Sequence, residues 1–174
     1  MTTSNVTTGS TTTDQEFVIS GVIDAKPACV FKAWTDPKQL AQWWGPTVFT
    51  NKCEIDLRVG GTFKITMYSP EGREYPMSGV YREIAEPHKL VWLQSCDEHP
   101  DDWHEMVNQH RPQGAGKLKE MLVTITFEKY DGKTKLTITM HFESATDRDA
   151  LVKIGMHDGW SQSLDKLQEL MARA

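Results

Sequence analysis

The alternation of apolar and polar residues predicts a series of strands along most of the chain. In residues 62–68, Phe63, Ile65 and Met67 alternate with threonine, lysine and tyrosine. A period of two gives a strand one buried and one solvated face, which is typical of antiparallel sheets. Strands are predicted over residues 16–23, 53–57, 62–68, 78–84, 90–94, 121–128 and 135–143.

Two short helices are predicted directly after the first strand. Pro27 and Pro37 suit the first helical turn, because the N–H that proline lacks would have no partner there. Asp36 stands where a helix N-cap is expected. The second helix should end at Gly45 and Pro46, a strong stop signal.

A long amphipathic helix is predicted over residues 146–172. Gly155 and Gly159 are unfavourable inside a helix, so we expect them to permit close backbone approach or to leave room beside the apolar stripe. That stripe has helical spacing and consists of Met156, Trp160, Leu164, Leu167 and Met171.

The predicted fold is therefore α+β. A seven-stranded antiparallel sheet curls around the long C-terminal helix, with two short helices after strand 1. The helix can cover the apolar face of the sheet, and a cavity remains wherever the facing side chains do not meet. We expect one domain over residues 16–174. Residues 1–15 are rich in threonine and serine and are predicted to be a disordered tail, because they cannot bury enough surface to offset their ordering entropy.

Composition narrows the function classes. The chain has 174 residues and a net charge of −5, so it has no general attraction for nucleic acid or anionic membranes. Its apolar runs are too short to be inserted in a membrane. The N-terminus lacks the apolar core of a secretory signal, so we expect a cytoplasmic protein. The three cysteines form no CxxC pair, which favours a reducing compartment.

The sequence contains no catalytic motif that we recognise. No nucleophile stands in a known pattern with a base, so no catalytic residue and no cofactor is predicted.

Cys96, His99, His104 and His110 lie in a long polar stretch over residues 96–117. Their spacing matches no familiar zinc set, and we expect solvated histidines and no metal. A loop of this length is often a lid or a binding segment.

Several short motifs resemble a known family when they are taken in order. They are residues 30–37 (VFKAWTDP), Leu40, residues 43–46 (WWGP), residues 56–61 (DLRVGG), Gly72, residues 79–84 (GVYREI), residues 89–91 (KLV), residues 159–160, residues 163–164 and Leu167. The set resembles the START-like or SRPBCC superfamily, which has the helix-grip fold of the birch pollen allergen. More narrowly, it resembles the branch named for the C-terminal domain of the activator of heat-shock-protein-90 ATPase.

The resemblance implies several functions. Members of the superfamily bind lipids, sterols, hormones and polyketides, and some are cyclases or co-chaperones. The fold alone therefore does not determine which of these functions a member has. The leading hypothesis is a small apolar ligand held between the sheet and the C-terminal helix. The alternatives are a co-chaperone with a chaperone partner, or a cyclase-type enzyme.

The candidate ligand-binding residues come from the strands, the second short helix and the C-terminal helix. Arg58 or His157 would bind one polar end of the ligand. Arg58 also has a structural interpretation, which we favour, in which it pairs with Asp56 to brace a hairpin. The full set is Trp44, Arg58, Phe63, Ile65, Met67, Trp92, Ile125, Met140, Met156, His157 and Trp160.

Overall fold

The computed structural model describes residues 9–13 and 15–173, with side chains from residue 15 onwards. In these residues the strands are β1 (Gly9–Thr13), β2 (Glu16–Ile23), β3 (Thr50–Ile55), β4 (Thr62–Tyr68), β5 (Glu74–Ala85), β6 (Lys89–Ser95), β7 (Met121–Tyr130) and β8 (Lys133–His141). The helices are α1 (Pro27–Thr35), α2 (Pro37–Trp43), α3 (Asp101–Asn108), α4 (Ala145–Lys153) and α5 (Met156–Arg173).

All eight strands belong to one antiparallel sheet in the order β1-β2-β8-β7-β6-β5-β4-β3. The seven predicted strands correspond to β2 through β8, so the predicted helix-grip sheet is confirmed. A row of buried residues crosses its centre, where Ile138 pairs with Ile19 on one side and with Ile125 on the other. The alternation in the sequence therefore identifies the inner face of the sheet correctly.

An additional strand lies at the N-terminal end of the sheet. β1 pairs with β2 from Gly9 opposite Ser20 to Thr13 opposite Glu16. The prediction of a disordered tail is therefore wrong for residues 9–13. Threonine favours strands, and β2 would otherwise leave an open sheet edge. The rest of that prediction, for residues 1–8 and 14, lies outside the described residues.

The two short helices begin where the sequence predicts. Pro27 and Pro37 open α1 and α2, and the Asp36 side chain accepts a hydrogen bond from the Lys38 amide at 3.1 Å. α1 packs onto the inner face of the sheet through Trp34, which contacts Trp92 on β6 and Phe127 on β7. The Trp43 indole N–H donates to the Ala33 carbonyl oxygen at 2.9 Å, which joins the two helices.

The predicted C-terminal helix is divided in two. α4 ends at Lys153, α5 begins at Met156, and Gly155 between them has a φ of +105°. Residues with a side chain rarely adopt this backbone conformation, so glycine makes the break possible. Gly159 is helical, and a Cβ atom placed there would meet no atom within 4 Å. It therefore leaves room instead of permitting a close backbone approach.

Substitution by alanine should change the free energy of unfolding in opposite directions at these two glycines. Gly155→Ala should lower the free energy of unfolding by about 1–2 kcal/mol, because its φ is unfavourable for alanine. Gly159→Ala should raise it by up to about 1 kcal/mol, because alanine is the better helix former. Urea unfolding of the two variants tests both signs. A stabilised Gly155→Ala would contradict the explanation of the helix break.

Candidate functional site

A pocket of about 230 Å³ lies between the inner face of the sheet and the C-terminal helices. The strands β4 to β8 supply one wall, and the α4–α5 junction supplies another. The segment after α2 and the segment after β6 complete the lining. The lining residues are Trp44, Gly45, Pro46, Met67, Met77, Gln94, Cys96, His99, Trp103, Met121, Met140, Leu151, Ile154, Gly155, Met156, Gly159, Trp160 and Ser163.

Methionine dominates the apolar lining. Five of the eight methionines in the chain line this pocket: Met67, Met77, Met121, Met140 and Met156. Methionine is unbranched and polarisable, so it adapts its shape to what it contacts. Trp160 is held against this lining, because its indole N–H points to the Met140 sulfur at 3.3 Å. The wall is apolar and able to repack.

His99 is the main polar group of the lining. Its Nδ1 lies 2.8 Å from the Pro76 carbonyl oxygen. A carbonyl only accepts hydrogen bonds, so Nδ1 carries the proton and Nε2 is an acceptor. Burial lowers the pKa of His99 to about 4, so the imidazole is neutral at pH 7. Among the described residues, the hydrogen bond of the His99 ring is the one between Nδ1 and Pro76, so Nε2 is left open.

The other polar lining groups are also uncharged. Burial raises the pKa of the Cys96 thiol to about 12, so it stays protonated. The Gln94 Oε1 accepts a hydrogen bond from the Trp92 indole N–H at 3.1 Å. The Ser163 hydroxyl lies within hydrogen-bond distance of the Gly159 and Gly45 carbonyl oxygens, at 3.0 and 3.2 Å. The arrangement suits binding of an uncharged molecule.

The long segment after β6 covers one side of the pocket. His99 and His104 are buried in it, with 7% and 6% of their surface exposed, so the expectation of solvated histidines is wrong for both. Trp103 on α3 contacts the His99 ring at a centroid distance of 4.5 Å. Burial follows because α3 packs against the body of the protein instead of lying free in solvent.

Ion pairs attach this segment to the rest of the protein at both ends. Arg73, before β5, makes two hydrogen bonds to Asp102 at the start of α3. After α3, Arg111 donates to Asp147 of α4 at 2.7 Å, and both side chains are almost fully buried. A buried ion pair of this kind holds the segment in one position, because either charge alone would be costly to bury.

Five of the predicted site residues line the pocket. Trp44 follows α2, Met67 is on β4, and Met140 is on β8. Met156 and Trp160 lie on the first turns of α5. The structure therefore brings together residues that the sequence separates by more than a hundred positions.

The other six predicted residues do not line it. Four lie in the core, where they fill the space themselves: Phe63, Ile65, Trp92 and Ile125. Arg58 is exposed beyond the end of β3, where its Nε donates to Asp56 at 2.8 Å. This contact matches the structural interpretation of that pair. His157 is half-buried and lies beside the helix face formed by its neighbours Met156 and Trp160.

The polar lining residues are absent from the sequence-based set. Gln94 was detectable, because it continues the inward phase of Leu90 and Trp92 on β6. Cys96 and His99 have no such signal, since they lie beyond the strand in an irregular segment. Only the fold of that segment places them at the pocket.

The sequence matches the family model described as activator of Hsp90 ATPase homolog 1-like protein over residues 24–172. The chain belongs to this family. No curated protein matches the sequence. Within the residues that the structure describes, no three His, Cys, Asp or Glu side chains are grouped to hold a metal ion, and no helix is long and apolar enough to span a membrane.

Solved structures share the fold of this member of the Hsp90 ATPase activator-like family. A protein from Nitrosomonas europaea is 23% identical, with a TM-score of 0.74 and coverage of 91% of this chain and 95% of its own. A protein from Arthrobacter aurescens is 22% identical, with a TM-score of 0.78 and coverage of 95% and 92%. A protein from Chromobacterium violaceum is 26% identical, with a TM-score of 0.70 and coverage of 90% and 96%.

The buried His99 should make stability depend on pH. The unfolded chain binds a proton at this residue near pH 6.5, whereas the folded protein binds it only near pH 4. Acidification between these values therefore favours the unfolded state, by up to about 1.4 kcal/mol per pH unit. In urea unfolding, wild type should lose more stability than His99→Gln between pH 6.5 and 4.5. Equal losses would contradict a buried neutral imidazole.

Proposed function

We propose that this protein binds a small, mainly apolar molecule in the pocket between its sheet and α5. The observation that supports this most directly is the lining itself, in which methionine and tryptophan side chains surround a few uncharged polar groups. Ligand pockets commonly combine apolar walls with a small number of placed polar groups. The family match and the shared fold are consistent with ligand binding.

The volume indicates the size of the molecule. A dry cavity of about 150 Å³ holds benzene, so a pocket of about 230 Å³ suits one or two fused rings or an equivalent aliphatic chain. Such a molecule buries on the order of 200 Å² of apolar surface, which contributes about 5 kcal/mol before the losses of association. We therefore expect dissociation constants on the order of a millimolar.

A side chain that fills the pocket should abolish binding. Gly159 lines the pocket and has free space where a side chain would project. Naphthalene and short alkylbenzenes should raise the melting temperature of wild type saturably and change its tryptophan fluorescence, because a ligand of the native state stabilises it. Gly159→Phe should remove both responses.

The control is Ala172→Phe, which adds the same ring to an exposed position of α5. This variant should bind as wild type does. Absence of any saturable response in wild type would contradict the proposal, and so would full binding by a folded Gly159→Phe variant.

A chaperone partner is the second candidate. The family description supports it, as do two large apolar residues, Leu57 and Val59, exposed between β3 and β4. Under this candidate the protein should stimulate ATP hydrolysis by Hsp90, and Leu57→Ser should weaken the effect. Leu122→Ser, on the exposed face of β7, is the matched control. An unchanged ATPase rate would contradict this candidate.

We also infer a cytoplasmic setting. Cys29, Cys53 and Cys96 are free thiols, and free thiols are the usual state of cysteine in a reducing compartment.

A further inference from the structure

We propose that the pocket selects an uncharged molecule that carries one hydrogen-bond donor, such as a phenol or a cyclic alcohol, whose O–H donates to Nε2 of His99. This inference rests on the proposed function and specifies the chemistry of its ligand. It also replaces Arg58 and His157, the polar contacts expected from the sequence, with a residue of the segment after β6.

The first argument is the fixed state of the His99 ring. Nδ1 is committed to the Pro76 carbonyl oxygen at 2.8 Å, so Nε2 presents a lone pair. The ring is held between Tyr75 and Trp103, with centroid distances of 5.6 and 4.5 Å. The acceptor is therefore oriented before a ligand arrives, which lowers the entropy lost on binding.

The second argument is that an unmatched ligand would bury an unpaired acceptor. Only 7% of the His99 surface is exposed, and among the described residues its ring makes one hydrogen bond, from Nδ1 to Pro76. Nε2 therefore depends on water or a ligand for a donor. An apolar ligand would remove water from Nε2 and supply nothing in its place. A ligand with a donor restores the hydrogen bond, and the difference is the free energy of one satisfied buried group.

The third argument is the absence of charge on the described lining. None of those side chains is an aspartate, glutamate, lysine or arginine. Lys166 lies outside the lining, and its ammonium donates to the Trp44 and Pro46 carbonyl oxygens at 3.2 Å. An anionic ligand would lose its hydration without gaining a charged partner.

Four probes with one ring system separate these features. Naphthol has the donor, methoxynaphthalene has an oxygen without a donor, naphthalene has neither, and naphthoate is charged. All substituents occupy the same ring position. Binding to wild type at pH 7 is measured by calorimetry or tryptophan fluorescence.

Naphthol should bind roughly five- to tenfold more tightly than naphthalene and methoxynaphthalene, the effect of one buried hydrogen bond. Naphthoate should bind about a hundredfold more weakly than naphthol. His99→Phe keeps an aromatic ring beside Trp103 but has no acceptor. It should bind the three neutral probes with equal affinity.

The nitrogen chemical shift of His99 Nε2 gives a readout independent of affinity and of the folding of the variant. In wild type it should move in opposite directions when naphthol supplies a donor to Nε2 and when naphthalene only removes water from it. Equal affinities of the three neutral probes would overturn the donor inference and leave the proposed function standing. Tightest binding of naphthoate would overturn the selection of uncharged molecules. Absence of binding by all four would contradict the proposed function, and this inference with it.

Discussion

The packing of Trp34 against other aromatic rings holds the two layers of the protein at a set distance. Its ring lies within 6.2 Å, between centroids, of rings from α2, the segment after α2, β6, β7 and α5. Aromatic side chains bury large areas with specific edge and stacking geometries. This cluster therefore determines how far α5 lies from the sheet, and all other packing between the layers must fit that spacing.

The space between sheet and helix is consequently divided into two parts. At one end, indole and phenyl rings fill it, and Phe63 packs on Trp92 at a centroid distance of 4.9 Å. At the other end, flexible methionines face Gly155 and Gly159, whose missing side chains leave volume free. Trp44 and Trp160 contact each other at 5.3 Å and lie at the boundary, because each belongs to the cluster and also lines the pocket.

This division explains which features the sequence could predict. Strand alternation and the proline-initiated helices are local, so the sheet and helices α1 and α2 follow from short windows. Alternation also identifies Phe63, Trp92 and Met140 as inward residues. It cannot say whether the space opposite each is filled, because that depends on the distance to α5. For Gly155, close backbone approach and free space were the two expectations, and neither indicates the positive φ at which the predicted helix divides.

Two polar groups of the pocket, His99 and Cys96, have a different origin from its apolar walls. The strands and α5 supply the five methionines and Trp160. His99 and Cys96 come from the long segment after β6, outside the motifs that carry the family resemblance. A scaffold that supplies adaptable apolar walls puts little constraint on the ligand, whereas one oriented imidazole acceptor constrains it strongly. Under the proposed function, ligand choice would therefore depend on the ion pairs of Arg73 and Arg111, which attach that segment, more than on the fold that the chain shares with its relatives.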